Sequence, residues 1–143
     1  MDSSWKNDHW KEPQSDHGPD PYVANMEQEA ARNGNFRTAL WTGCHLQMTL
    51  MCIPPCGEIG PEIHDDTDQL VRVEQGIAAV QMGKCEYRQD FYKNMCQGDA
   101  VFIPAGTWHN IINIGRTPLK VSSVYAPPHH PRGTVHPTKA DAH

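Results

Sequence analysis

Short apolar runs alternate with turn residues along most of the chain, which is typical of a β protein. From Asn35 onward, Gly, Pro, Asn and Asp separate these runs. Several runs alternate apolar and polar positions as a half-buried strand does, so Leu46, Met48, Leu50 and Cys52 fall on one face. Eight runs predict strands, at residues 37–42, 45–53, 60–64, 69–75, 77–82, 99–104, 108–113 and 118–126. Because short strands at this spacing favour a closed sheet or a sandwich, the sequence predicts an all-β fold, a small antiparallel β-barrel.

The first part of the chain lacks this pattern and is predicted to be an arm. Residues 1–34 are mostly polar and contain Trp5 and Trp10. Within the arm, Asp20-Pro21 is expected to open a short N-terminal helix, because Asp caps helices and Pro fits their first turn. Asn33-Gly34 is expected to end that helix in a left-handed conformation.

The strand pattern continues to residue 127 and defines the main domain. Residues 35–127 are therefore predicted to form the barrel, and residues 128–143 a Pro- and His-rich tail over its surface. Solvent exposure is expected for three tail histidines, His129, His130 and His136. Residues 84–97 are predicted to be a packed surface hairpin, with a lid over the barrel mouth as the alternative.

Length, charge and cysteine content narrow the function classes. The chain has 143 residues, the size of one domain, and 12 Lys+Arg against 17 Asp+Glu give a net charge of −5. That balance argues against nucleic acid as a partner, since phosphate binding needs a concentrated basic surface. No apolar run approaches the roughly 20 residues of a membrane span, and the first residues do not resemble a secretory signal. We therefore expect a cytoplasmic protein with no membrane partner, whose five cysteines are reduced and mostly fill the core.

The most specific motif lies near the C-terminal end of the predicted barrel. Residues 98–113 read GDAVFIPAGTWHNIIN, with Pro104 and Gly106 in a predicted turn and His109 three residues after Gly106. This segment resembles the second motif of the cupin superfamily, G-x5-P-x-G-x2-H-x3-N, with every fixed position filled. His109 takes the histidine position, and Asn113 and Gly106 are expected to be structural.

An upstream segment resembles the first cupin motif, G-x5-H-x-H-x3,4-E-x6-G, less closely. Glu62 stands where the family has its first histidine, followed by His64 at the second, and Gln69 stands where the family has glutamate. Cys56 replaces the opening glycine. In a second register His64 is the first histidine and Asp66 the second, but only two residues then precede Gln69. We prefer the Glu62/His64 register, which leaves four.

Together the two motifs predict a metal site. In a strand, residues i and i+2 point to the same face, so Glu62 and His64 can both face the barrel interior, and a turn returns Gln69 to that face. Four donors are therefore predicted to converge on one divalent transition metal: Glu62, His64, Gln69 and His109. A mixed nitrogen and oxygen set suits Mn, Fe, Ni, Co or Zn. The resemblance implies the cupin fold, also called a jelly roll or double-stranded β-helix.

The resemblance to small cupins of the mannose-6-phosphate-isomerase-like type implies isomerase or epimerase activity on a small sugar or hydroxy-carbonyl substrate. The alternatives are an Fe(II) dioxygenase and a non-catalytic cupin that binds a small ligand. The catalytic base is unknown, with Glu62 and Asp66 as candidates. Arg37, Arg72 and Lys120 are available for a phosphate, although Arg72 should face outward. A homodimer is expected, since small cupins often pair.

Overall fold

The structure, a computed structural model, describes residues 16–142, so Trp5 and Trp10 of the predicted arm lie outside the described residues. One short helix and nine strands make up most of this part of the chain. In chain order they are α1 (Met26–Arg32), β1 (Arg37–Thr42), β2 (Gln47–Ile53), β3 (Asp68–Gln75), β4 (Ala78–Gly83), β5 (Phe91–Met95), β6 (Ala100–Ile103), β7 (Trp108–Asn113), β8 (Leu119–Ala126) and β9 (Val135–His136), with a final 3-10 turn at Lys139–Ala142.

The strands form two antiparallel sheets that face each other across an apolar core. The larger sheet has the order β6-β3-β8-β2-β1-β9, and the smaller has the order β5-β4-β7. Bridges from Glu58 to Ile112 and from Glu62 to His109 extend the smaller sheet beyond β7. The prediction of an all-β jelly roll with a short helix is confirmed. The predicted barrel consists of two facing sheets rather than one closed sheet.

Alternation along the strands decides what enters the core. On β3, Gln69, Val71 and Val73 are buried, whereas Arg72 is exposed, as the sequence predicted. On β7, the buried inner residues include His109 and Ile111. Polar site residues therefore share the inner face with the apolar core.

On β2, the predicted apolar face lies on the outside of the larger sheet. Met48 and Leu50 pack with Ala30 of α1 in a small second core. The opposite face, which includes Gln47 and Thr49, points into the sandwich. The helix covers the outer apolar face, which accounts for a strand that is buried on both sides.

The helix begins later than the sequence predicted. Asn25 is its N-cap, because its side chain accepts a hydrogen bond of 3.1 Å from the Gln28 amide. The Asp20 carbonyl instead accepts a bond of 2.7 Å from the Trp41 indole, which ties this segment to β1. Asn33 ends the helix in an extended conformation with φ of −75°, so the predicted left-handed exit is wrong.

Two strands were missed by the sequence. Phe91–Met95 forms β5 at an edge of the smaller sheet, within the predicted hairpin of residues 84–97. Its side chains are mostly exposed, so no apolar alternation marked it as a strand. Val135–His136 forms β9, which brings the C-terminal tail into the larger sheet beside β1. Within residues 16–142, no helix is long and apolar enough to cross a membrane.

All five cysteines are free thiols, but the prediction that they fill the core is wrong. Cys52 is half-buried, and the other four lie exposed at turns and strand edges: Cys44, Cys56, Cys85 and Cys96.

Candidate metal centre

Three of the predicted ligands meet on the inner side of the fold. One carboxylate oxygen of Glu62, Oε1, lies 3.4 Å from His64 Nε2 and 3.3 Å from His109 Nε2. One donor atom from each residue lies within 4.8 Å of the other two. Both histidines are buried, and Glu62 is half-buried. This spacing allows one cation to contact all three.

Backbone pairing places two of these side chains next to each other. The Glu62 amide donates to the His109 carbonyl, and the His109 amide donates to the Glu62 carbonyl, each over 2.9 Å. The His64 carbonyl accepts a bond of 2.8 Å from the amide of Gly106, which turns the chain with φ of +78°. The two motifs thus form one unit through their main chains, because side chains directly opposite in an antiparallel pair point the same way.

His109 is oriented as a histidine that binds a metal usually is. His109 Nδ1 lies 3.0 Å from the Thr107 carbonyl, so Nδ1 carries the proton and Nε2 keeps its lone pair towards Glu62. A histidine that binds a metal almost always donates its other nitrogen in this way. The side-chain nitrogens of His64, and His109 Nε2, are buried without a hydrogen-bond partner. Such atoms are costly to leave unpaired, and a cation between them would satisfy the Nε2 atoms of the two histidines.

Electrostatics keep the carboxylate of this group ionised. Burial alone would raise the pKa of Glu62, but the interactions of its carboxylate with the His109 and His64 rings, 3.3 and 3.4 Å away, outweigh burial and hold the pKa far below its usual range. An ionised carboxylate beside two imidazole nitrogens suits a divalent cation.

The remaining predicted residues differ in their placement. Gln69 is buried on the inner face of β3, and its amide oxygen has no hydrogen-bond partner. Its role as a fourth ligand stays a prediction. Asp66 is exposed in the turn before β3 and is not among the three residues whose donor atoms meet. Asp68 accepts a bond of 2.9 Å from the Ala105 amide and so joins the turns of the two motifs.

Backbone angles support the preferred register of the first motif. Cys56 has φ of +65°, which glycine adopts more readily than any other residue, and it stands at the opening glycine position. Gly76, at the closing position, has φ of +99°. Asn113 at the end of β7 donates to the carbonyls of Ile53 and Thr117 over 3.0 and 2.9 Å, which confirms its structural role.

The sequence missed the part that the C-terminal tail plays at this site. The ring centroids of His129 and His64 are 4.0 Å apart. The expectation of solvent exposure is confirmed for His129 and is wrong for His130 and His136, which are half-buried. Burial and then the charge of Arg37 lower the pKa of His130 to about 3. Pro127-Pro128 directly after β8 was the available signal, since two prolines limit how far the next residues can stray.

A buried glutamine holds this part of the tail in place. Gln47 Oε1 accepts bonds of 3.2 Å and 2.9 Å from the amides of His129 and His130, and Gln47 Nε2 donates to the His130 carbonyl over 2.8 Å. The tail therefore has a defined position beside His64.

Comparisons with known proteins agree with this fold. The family model described as "Cupin domain" matches residues 49–125. The uncharacterized protein YrkC of Bacillus subtilis (strain 168) is 54% identical over 127 residues, which span 89% of this chain and 68% of that protein. The uncharacterized protein L612 of Acanthamoeba polyphaga mimivirus is 39% identical over 115 residues, spanning 80% and 70%. The crystal structure of BH2720 from Bacillus halodurans superposes with a TM-score of 0.88 at 55% identity, covering 90% of this chain and 97% of that one.

Proposed function

The chain belongs to the cupin domain family, and we propose that it is a metal-dependent enzyme that isomerises or epimerises a small sugar or hydroxy-carbonyl compound. The observation that carries this proposal is the convergence of Glu62, His64 and His109. Three protein ligands leave coordination positions open, as catalytic metal sites do.

A divalent ion held by these residues would act as a Lewis acid on the carbonyl of the substrate. The chain itself holds the ligand atoms in place, since the Thr107 carbonyl fixes the His109 ring and the Glu62–His109 bridge fixes the carboxylate. Proton transfer also needs a base. Of the two candidates, Glu62 lies beside both histidines, but it serves as a ligand and its lowered pKa makes it a weak base. That leaves Asp66, exposed in the neighbouring turn, as the candidate base.

A second candidate function is an Fe(II) dioxygenase. Two histidines and one carboxylate are the ligand set of non-haem iron oxygenases, and the structure brings together that set. The nature of the bound metal separates the two candidates.

The decisive experiment is the metal content of the purified full chain by mass spectrometry, repeated for Glu62→Ala. Near one Mn, Ni, Co or Zn per chain, lost in the variant, supports the isomerase and leads to sugar isomerisation assays. Near one Fe supports the dioxygenase and leads to oxygen-uptake assays. No metal, even after reconstitution, overturns both and leaves a cupin that binds a small ligand without catalysis.

We further propose a cytoplasmic homodimer with a small-molecule substrate. Four exposed free thiols support a reducing compartment, where disulfides are rare. Light scattering of the full chain tests the assembly, and a monomeric mass contradicts it.

A further inference from the structure

A buried arginine faces the interior of the fold without a carboxylate partner. Arg37 is 4% exposed, and no carboxylate oxygen within residues 16–142 lies within 4.0 Å of its guanidinium. One terminal nitrogen lies 3.1 Å from His136 Nδ1, and Nε has no hydrogen-bond partner. A buried charge is costly unless an opposite charge or hydrogen bonds compensate it. The position of Arg37 therefore favours an anion in this region.

Two buried hydroxyls lie on the same inner face. Thr49 on β2 and Ser123 on β8 are directly opposite in register, and both side chains are fully buried. The Tyr125 phenol lies close enough to interact with both hydroxyls, which have no other hydrogen-bond partner within residues 16–142. Ala39 on β1 pairs with Thr49, and Arg37 precedes Ala39 by two positions, so it points to the same side. Three donor groups therefore share one surface of neighbouring strands: the Arg37 guanidinium and the hydroxyls of Thr49 and Ser123.

Tyr125 connects this surface to the metal centre. It is buried on β8, two residues after Ser123, and its ring centroid lies 5.8 Å from that of His64. Burial and then the Glu62 carboxylate raise the pKa of the phenol to about 12, whereas the Arg37 charge acts in the opposite direction. Tyr125 therefore lies between Ser123, on the same strand, and His64 of the metal centre.

The other basic residues named from the sequence are engaged elsewhere. Arg72 is exposed on the outer side of β3, with its Nε 3.6 Å from Glu74. Lys120 donates to the Asn33 carbonyl beneath the end of α1. Of the three, Arg37 alone faces the interior that holds the metal centre.

We propose that Arg37, Thr49 and Ser123 form an oxyanion subsite that binds a carboxylate or phosphate group of the substrate, while another part of the same molecule lies at the metal centre. The substrate is then a small anion rather than a neutral sugar. Guanidinium and hydroxyl groups can donate hydrogen bonds to an anion and do not repel it. Arginine in particular is common where proteins bind carboxylate and phosphate groups. The inference rests on the proposed function, because the metal site is expected to bind the part of the substrate that lies outside the subsite.

The test is calorimetric titration of the metal-loaded full chain with glycolate, inorganic phosphate and the neutral analogue glycolamide. We expect one of the two anions to bind and glycolamide not to bind. Tighter binding of glycolate identifies a carboxylate substrate, and tighter binding of phosphate identifies a phosphorylated one. A wild-type protein that carries its metal and binds neither anion overturns the subsite and leaves the metal site standing.

Variants separate the subsite from a merely structural arginine. Thr49→Val and Ser123→Ala remove hydroxyls whose partner within residues 16–142 is the Tyr125 phenol, so the free energy of unfolding should change little, while anion affinity should fall about tenfold. Arg37→Gln should abolish anion binding and keep the metal. Arg72→Gln, on the outer face of β3, is the matched control and should bind as the wild type does. Unchanged affinity in both hydroxyl variants overturns the proposal. Anion binding by a protein that cannot hold a metal supports the subsite and contradicts the proposed enzyme.

Discussion

Glu62 and His109 face each other across a single antiparallel bridge, where their main chains exchange two hydrogen bonds of 2.9 Å. The side chains of the pair meet at 3.3 Å on the inner side. The relative position of the two predicted ligands is therefore set by backbone pairing between segments that are far apart in sequence. Such pairing tolerates side-chain replacement, so the site can be tested without loss of the fold.

Single substitutions should separate the metal ligands from their neighbours. We expect His109→Ala and His64→Ala to abolish metal binding, because each removes one of three converging donors. Asp66→Ala should leave binding nearly intact, since Asp66 is exposed and outside that group. Metal content by mass spectrometry is the measurement, with circular dichroism to confirm folding. Loss of metal in Asp66→Ala together with retention in Glu62→Ala would show that the register of the first motif is wrong.

Gln69→Leu tests the fourth predicted ligand. The amide oxygen of Gln69 is buried and unpaired, so replacing it with an apolar group of similar size should not lower the free energy of unfolding. Metal affinity should fall roughly 10-fold or more if the oxygen contacts the ion, as losses at ligand-supporting positions already reach that size. A competition titration with a chelator measures this. Equal affinities in the variant and the wild type would remove Gln69 from the ligand set.

Cys56→Gly should stabilise the protein. Cys56 is exposed and has φ of +65°, a conformation that is strained for any residue with a Cβ atom. We expect a gain of roughly 0.5–1.5 kcal/mol in the free energy of unfolding, the strain relieved less the entropy that glycine loses. Urea denaturation measures it. Cys44→Gly is the control: Cys44 is also exposed but lacks a positive φ, so that variant should gain nothing.

Gln47→Leu should release the tail from its place beside His64. The variant loses three hydrogen bonds to the main chain of His129 and His130. At about 1 kcal/mol for each bond, the expected loss of stability is about 3 kcal/mol. Hydrogen exchange at the amides of His129 and His130 should accelerate, while exchange in β3 and β8 should change less. Protection of these two amides equal to that in the wild type would contradict the role of Gln47.

Asp16 should make the free energy of unfolding depend on pH. Its buried side chain accepts bonds from the Thr42 hydroxyl at 2.6 Å and from the amides of Gly18 and Gly133 at 3.0 and 2.9 Å. Burial raises the pKa of Asp16, but these bonds outweigh it and lower the pKa below its ordinary 3.8. The folded state thus favours the ionised form. The ionised Asp16 therefore contributes to the free energy of unfolding above pH 3.8. This contribution is lost as the pH falls through the lower pKa that Asp16 has in the folded protein.

Asp16→Asn provides the measurement of that contribution. Near pH 7 the variant should lose about 1–3 kcal/mol of unfolding free energy, because an amide cannot accept all three bonds. The difference from the wild type should shrink as the pH falls below 3.8. A constant difference between pH 2 and pH 7 would contradict the assignment.

Local pattern was sufficient to predict much of the fold. The structure gives β1 and β7 the bounds that the sequence predicted, because each is a compact run between clear turn residues. The ligands Glu62, His64 and His109 were also accessible from spacing, through the i, i+2 alternation and a Pro-Gly turn. The predicted strand at residues 60–64 is wrong, however, because Glu62 forms only an isolated bridge to His109.

What the sequence did not reveal depends on distant contacts. The helix begins after Asn25 rather than after Asp20, because the Asp20 carbonyl accepts a hydrogen bond from the Trp41 indole. The place of His129 follows from Gln47, a residue far away in sequence that looks like an ordinary strand position. The sequence pattern likewise did not show that the Arg37 side chain faces inward. No local periodicity encodes these pairings.

The short strand β9 has a consequence for the solution behaviour of the protein. Residues 134–136 bond to the side of β1 that β2 leaves free, including the Ala39 amide, which donates to the Thr134 carbonyl over 2.8 Å. Without them β1 would present a row of unpaired main-chain groups, which serve as a template for another chain. The tail thus protects this edge of β1 from uncontrolled strand pairing with other chains, and a protein shortened before Thr134 should aggregate even though its metal ligands are intact.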